Sequence, residues 1–239
     1  MPGTVDLNVD LGESPERWRS GEDPRLLTVV TSANVCCGAY AGDDGLIRET
    51  CAAAVEHGVA IGAQVGYPDR AGFGRRPMDL PPRELVDEVR RQIDHLSALA
   101  DAVGGVVTYV KPHGALYHRI SHDEGQAAAV VEALLADGTP RPLLGLPHSL
   151  ALSLAIEEHI PVVREGFADR AYDIDGGLVP RDRPGAVLTD PESAARQALD
   201  LVERVDSLCV HSDSPSAEDL LRRVRGALAE HGVEVRSFG

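Results

Sequence analysis

The sequence predicts an α/β fold in which a parallel sheet closes into a β/α barrel, and three observations carry that expectation. Short β-rich apolar segments recur along the 239 residues and alternate with helical patterns. Several segments, such as Val59–Ala63, are apolar without a break, as strands buried on both faces are. The glycine signatures of an open nucleotide-binding sheet, GxGxxG after the first strand and GxxxxGK[ST], are absent.

The elements follow in order. In Val5–Leu11, Val5, Leu7, Val9 and Leu11 alternate with Asp6, Asn8 and Asp10, so one face of a strand is polar. On an edge strand those acids would be solvated. In a closed barrel they point inward and need partners or a task. Ala33–Cys37 is the second strand, and Asp43 or Asp44 caps a helix running to about His57. Val59–Ala63 is the third. The clearest helix follows Pro81 and Pro82, with Leu85, Val89, Ile93, Leu96, Leu99 and Val103 on one face and Gly104-Gly105 at its end. Val106–Val110, Leu143–Leu146, Pro161–Arg164 and Leu208–His211 are strands four to seven, and Val233–Val235 is a weak last one. Helices are predicted from Asp190 to about Arg204 and along Ala217, Leu220, Leu221, Val224 and Leu228, closed by Gly232. No linker, repeat or low-complexity tract interrupts the pattern, so residues 1–239 read as one domain.

Composition sets the outer bounds. At 43% hydrophobic and 26% charged residues the chain has the material for a substantial core. A net charge of −15 argues against a nucleic acid or an anionic bilayer as partner, because both recruit clustered cations. No apolar stretch approaches the roughly 20 residues of a spanning helix. The N-terminal residues lack the basic head and apolar run of a signal peptide. Cys36, Cys37, Cys51 and Cys209 form no CxxC pair or regular framework, which predicts buried thiols and a cytoplasmic setting.

In β/α barrels the chemistry gathers at the carboxyl ends of the strands. The predicted strand ends carry Asp10 and Glu13, then Asn34, Tyr40 and Asp43, then Gln64, Tyr67 and Asp69. Lys111 and His113 follow the fourth strand, His148 the fifth, Glu165, Asp169 and Arg170 the sixth, and His211 and Asp213 the seventh. Lys111 stands out, because the other 22 basic residues are arginine. A lone lysine in such a chain points to a position that needs a compact ammonium. In VKPHGALY, Pro112 biases Lys111 toward extended backbone and Gly114 lets the chain turn, so Lys111 and His113 are held at a strand end. The remaining histidines, His57, His95, His118, His122, His159 and His231, fall in helical patterns or polar turns, which predicts surface roles. With no HxH or HExxH motif, no tightly bound transition metal is expected.

Together the motifs resemble the LamB/YcsF (lactam-utilisation) family, to which the A subunit of bacterial 5-oxoprolinases belongs. The stretches that carry the resemblance are VDLNVDLGES from Val5, TSANVCCGAYAGD from Thr31, GVAIGAQVGYPDRAGFGRR from Gly58, VKPHGALY, EGFADRAYDIDGGLVPRDRPGAV from Glu165 and CVHSDSP from Cys209, in family order over almost the whole chain. Three positions depart. Tyr40 and Gln64 stand where the family usually has histidine, and Ser212 where it usually has glycine. The resemblance implies an irregular seven-stranded parallel β/α barrel of the glycoside hydrolase/deacetylase type. It further implies ATP-coupled opening of 5-oxoproline to L-glutamate, with Mg²⁺ accompanying ATP and with other protein subunits as partners.

Placed on this sequence, Asp10, Glu13, Lys111, His113, Asp169, Arg170 and His211 are the expected catalytic residues. Asn34, Tyr40, Gln64, Tyr67 and Glu165 are the expected substrate contacts, and Asp43 and Asp213 the expected Mg²⁺ ligands. In this assignment Lys111 and Arg170 stabilise anionic charge, Asp10 or Glu13 deprotonates water, and His113 protonates the departing nitrogen. The alternatives are a diverged relative acting on another lactam, amide or cyclic precursor, with or without ATP, a non-catalytic partner that stabilises a second enzyme, and a metal-dependent deacetylase.

Overall fold

A computed structural model describes residues 3–238 apart from 137, 139, 175, 182 and 215. Seven parallel strands close on themselves: β1 (Thr4–Leu11), β2 (Ser32–Cys36), β3 (Ala60–Val65), β4 (Val107–Pro112), β5 (Leu143–Gly145), β6 (Val162–Phe167) and β7 (Ser207–Cys209). β1 pairs with β7 on one side and β2 on the other, which seals the barrel. The closure is irregular, since β4 and β5 meet only at Val110 and Leu143. β8 (Glu234–Val235) runs alongside the first residues of β1, outside the closed set.

Helices α1 (Pro15–Arg19) and α2 (Glu22–Leu26) follow β1, and α3 (Asp44–His57) follows β2. Next come α4 (Pro82–Asp101), α5 (Gly114–Arg119), α6 (Glu124–Leu135), α7 (Leu150–Glu157), α8 (Pro191–Leu201) and α9 (Ala217–Glu230). Asp43, not Asp44, caps α3 by accepting from the amide of Leu46. Sequence patterns offer no separate outline for α1, α2 or α5–α7. α1, α2 and α5 are too short to show a period, and α6 and α7 are so rich in alanine and leucine that no stripe stands out. No helix among the described residues is long and apolar enough to cross a membrane.

Several boundaries move, and the shift matters for the site. β3, β4 and β6 run to Val65, Pro112 and Phe167, beyond their expected ends, so Gln64, Lys111 and Glu165 stand on strands. β7 stops at Cys209, leaving His211 in the loop after it. The ladder explains the longer strands: Gln64 pairs with Lys111, and Val65 with Pro112, extending the β3–β4 register.

The apolar residues of β1 are fully buried, and so is its polar face. The barrel interior is therefore a stack of polar groups, most of them hydrogen-bonded to one another. At the lowest level Asp6 accepts from Thr31, Ser32 and Ser207. Above it Asn8 donates to Ser207 Oγ at 2.7 Å and to Glu165 at 3.2 Å, while its carbonyl accepts from Asn34 at 2.7 Å. Tyr109 donates to Asn34 Oδ1 at 2.7 Å. Its ring lies over Gly62, where a Cβ would stand 2.1 Å from a ring carbon, so only glycine fits beneath it.

Tyr109→Phe removes the sole donor to Asn34 Oδ1 among the described residues and leaves that buried carbonyl without it. A loss of about 1–3 kcal/mol is expected. It would be read as a lower urea midpoint with an unchanged denaturant slope.

Candidate active site

The upper level of the stack is built around Lys111. Its ammonium is 2.7 Å from Glu165 Oε1 and 3.1 Å from Asp10 Oδ1, with Asn8 Oδ1 at 3.4 Å and Cys209 Sγ at 3.3 Å. A tripod of movable donors suits partners arriving from three strands, which a planar guanidinium would not match. Burial opposes the charge on Lys111, but Asp10 and Glu165 outweigh it and raise its pKa well above the ordinary lysine value. Burial likewise works against ionised Asp10, and the Lys111 charge, helped by His211 and His113, brings its pKa down to about 2.

Above this floor opens a cavity of about 290 Å³. Asp10, Gln64, Lys111 and His113 form part of its base, while Phe167, Leu178 and Pro180 supply apolar wall. His211 lines it too, and its Nδ1 is 3.0 Å from Asp169 Oδ1. The carboxylate can only accept, so Nδ1 carries a hydrogen, and in the neutral imidazole Nε2 keeps its lone pair. Asp169 also takes the His211 amide at 3.0 Å and the Ser214 hydroxyl. Although burial opposes it, this company lowers the Asp169 pKa. The imidazole stacks on Phe167 with centroids 5.2 Å apart. Its orientation is fixed from two sides.

His113 is held in the opposite sense. Nε2 lies 3.0 Å from the carbonyl of Phe73, so that nitrogen bears the hydrogen, and the bare Nδ1 accepts from Gln64 Nε2 at 3.2 Å. Tyr40 stacks flat on the ring at 4.0 Å and donates to Glu13 at 3.4 Å. Both positions where the family usually has histidine thus pack around this single imidazole. Burial is the main reason its pKa falls to about 4, so it is neutral at pH 7. Burial, and then the charge of Asp10, hold the Glu13 carboxyl well above the usual carboxylate range. Gly114 makes the turn behind His113: its φ is +56°, and a Cβ there would meet the Gly74 carbonyl at 2.6 Å.

The expected site residues sort into three groups. Asp10, Glu13, Lys111, His113, Asp169, Arg170 and His211 do meet at one mouth of the barrel. Arg170 borders the cavity, yet its guanidinium is spent on the carbonyls of Ala186 and Val179, which pin the loop after β6. Asn34 and Glu165 lie below the floor, and Tyr40 lies behind His113. Tyr67 is elsewhere: its ring is buried and its hydroxyl donates to Gln126 at 2.8 Å, a packing role. Asp69 caps a short 3₁₀ turn (Arg70–Gly72) and binds Arg76. His148 is exposed and away from the cavity, and His118, exposed as expected, stands at the cavity rim.

Three arginines border the cavity, and two of them escaped the sequence reading. Arg75 and Arg181 both bind Asp213, at 2.8 and 2.7 Å. One carboxylate between two guanidiniums leaves a net positive rim. The Arg181 Nε is buried with no hydrogen-bond partner among the described residues. Both arginines lie in the family-like stretches GFGRR and GLVPRDRPG, but nothing in local spacing singles them out from the other arginines there.

Removing the Lys111 ammonium leaves two buried carboxylates facing each other, so Lys111→Met is expected to cost about 3–5 kcal/mol near pH 8. Because Lys111 depresses the folded-state pKa of Asp10, that contribution is present above the ordinary aspartate range and fades as pH falls toward 2. The gap between wild type and variant in urea unfolding therefore narrows on acidification.

Comparison with known proteins follows the same lines. Over 98% of the chain and 99% of the relative, it is 51% identical to the A subunit of 5-oxoprolinase from Streptomyces avermitilis. The crystal structure of the lactam utilization protein from Thermus thermophilus superposes with a TM-score of 0.90 at 42% identity, covering 98% of this chain and 100% of that one. A family 4 carbohydrate esterase from Streptomyces lividans, at 14% identity and a TM-score of 0.54 over 99% of this chain and 93% of its own, shares the barrel architecture. The model of the LamB/YcsF family matches residues 5–239. With the motifs in order along that span and the barrel closed as the family's is, the chain belongs to the LamB/YcsF family.

Proposed function

We propose that this chain opens 5-oxoproline to L-glutamate, in an assembly with partner subunits and with ATP hydrolysis as the driving reaction. The observation that carries the reading is the cavity itself: a small chamber with an apolar wall, a cationic rim, and an ordered imidazole beside a buried ammonium. Its volume suits a five-membered ring bearing one carboxylate. The relatives add the reaction class, since they are named as 5-oxoprolinase subunits, and the word subunit implies companions.

The chemistry is the replacement of a ring C–N bond by a C–O bond from water. Roles shift from those expected on sequence alone. His113 is neutral and its one N–H is committed to Phe73, which makes it a poor acid. Asp10 is held ionised by Lys111 and makes a weak base. His211 is the better agent: with Nδ1–H held by Asp169, Nε2 takes a proton from water and returns it to the departing ring nitrogen. Lys111, at the floor, stabilises the negative oxygen that develops on the attacked carbon. Arg181 and Arg75 hold the substrate carboxylate at the rim, where the buried Nε gains the partner it lacks.

ATP enters as a co-substrate. Asp43 and Asp213 do not suit the accompanying Mg²⁺, since one caps α3 and the other is saturated by Arg75 and Arg181. No step is assigned to a metal held there.

The purified chain, combined with its candidate partner subunits, 5-oxoproline and ATP, is expected to release glutamate and phosphate. His211→Asn is expected to lower kcat by about 10²–10⁴-fold. A full rate in that variant overturns the acid–base assignment. Arg181→Lys keeps the charge but loses Nε, so KM rises while kcat changes little. With the chain alone, 5-oxoproline raises Tm in the wild type, and by less in Arg181→Lys.

A further inference from the structure

The acids that fail to suit Mg²⁺ draw attention to donors that do converge. One ligand-type atom from each of Asp10, Glu13 and His113 lies within 4.8 Å of the other two, a grouping unique among the described residues. His113 is presented as metal-binding imidazoles are, with its other nitrogen donating to a backbone carbonyl. That leaves the Nδ1 lone pair facing Glu13 Oε1 at 3.6 Å. Two donors at this spacing can share one ion, each at about 2.0–2.2 Å. Lys111 and Asn34 both engage Oδ1 of Asp10, which leaves Oδ2.

A separate observation points the same way. Gln64 is fully buried and sets its amide against the same imidazole nitrogen, while its own Oε1 has no hydrogen-bond partner among the described residues. Turned end for end, the amide places that oxygen 3.2 Å from Nδ1, as a fourth donor. Charge is in keeping. Once a cation displaces the proton that burial favours on Glu13, the carboxylates of Asp10, Glu13 and Glu165 exceed the single ammonium of Lys111 by two negative charges.

We propose that Asp10, Glu13, His113 and the Gln64 amide oxygen bind one divalent cation of the first transition row at the floor of the cavity. Three oxygens and one imidazole nitrogen form a harder set than the nitrogen-rich sites that favour Zn²⁺, so Gln64 sets which ion is preferred. The site shares the cavity floor with the proposed lactam chemistry but needs neither substrate nor partner to be measured.

The full-length chain, stripped with a chelator and dialysed free of it, is titrated with MnCl₂ and with ZnCl₂ by calorimetry, with Mn²⁺ followed by EPR. One ion per chain is expected for each metal. Glu13→Gln weakens both at least tenfold. Gln64→His tightens Zn²⁺ at least tenfold and Mn²⁺ by less. Unfolding curves taken alongside show whether each variant is native, and if Glu13→Gln is not, the Gln64→His selectivity shift decides alone. Absence of stoichiometric binding, or affinities indifferent to Gln64→His and to a folded Glu13→Gln, overturns the proposal. Either result leaves the release of glutamate from 5-oxoproline to be judged by its own assay.

Discussion

A single buried ammonium organises this barrel. Lys111 reaches the centre from β4 and joins Asp10 on β1 to Glu165 on β6, with Asn8 and Cys209 closing the shell. An unpaired charge at that depth would be prohibitively costly. Each member of the cluster therefore requires the others, and the strands that bear them must keep their registers. The pairs Asp10–Asn34, Gln64–Lys111 and Glu165–Ser207 are the backbone counterpart of that demand.

The polar interior has a consequence at the mouth. Most barrels of this kind fill their centre with branched apolar side chains, whereas here hydrogen-bonded levels rise from Asp6 through Asn8 and Asn34 to Asp10 and Lys111. Charge is thereby delivered to the cavity floor already desolvated and already oriented, the arrangement in which electrostatic stabilisation is strongest. The two imidazoles above it are set apart by their partners. A carboxylate orients His211, while a carbonyl and an amide fix His113 as a neutral acceptor. Identical side chains acquire different chemistry from what holds the other nitrogen.

Substitution at two family positions sharpens that division. Tyr40 covers one face of His113 and the Gln64 amide lies against its Nδ1. Tyr40 adds a ring that packs and a hydroxyl that reaches Glu13; Gln64 adds an amide that does not titrate. Neither change disturbs the Lys111 cluster or the Asp169–His211 pair.

Much of this was written in the chain. The alternation of Val5–Leu11, the stripe from Leu85 to Leu99 and the single lysine suffice for a closed parallel barrel with a polar centre, because periodicity and composition are local properties that survive without coordinates. Strand ends also named most of the residues at the mouth. Tertiary structure alone decided their roles. Whether Asp213 meets a metal or two arginines, whether Tyr67 lines a cavity or packs against Gln126, and which nitrogen of each histidine is bare all depend on partners 30 to 140 residues away along the chain. A hydrogen bond between such distant groups leaves no trace in spacing, so only the folded geometry assigns it.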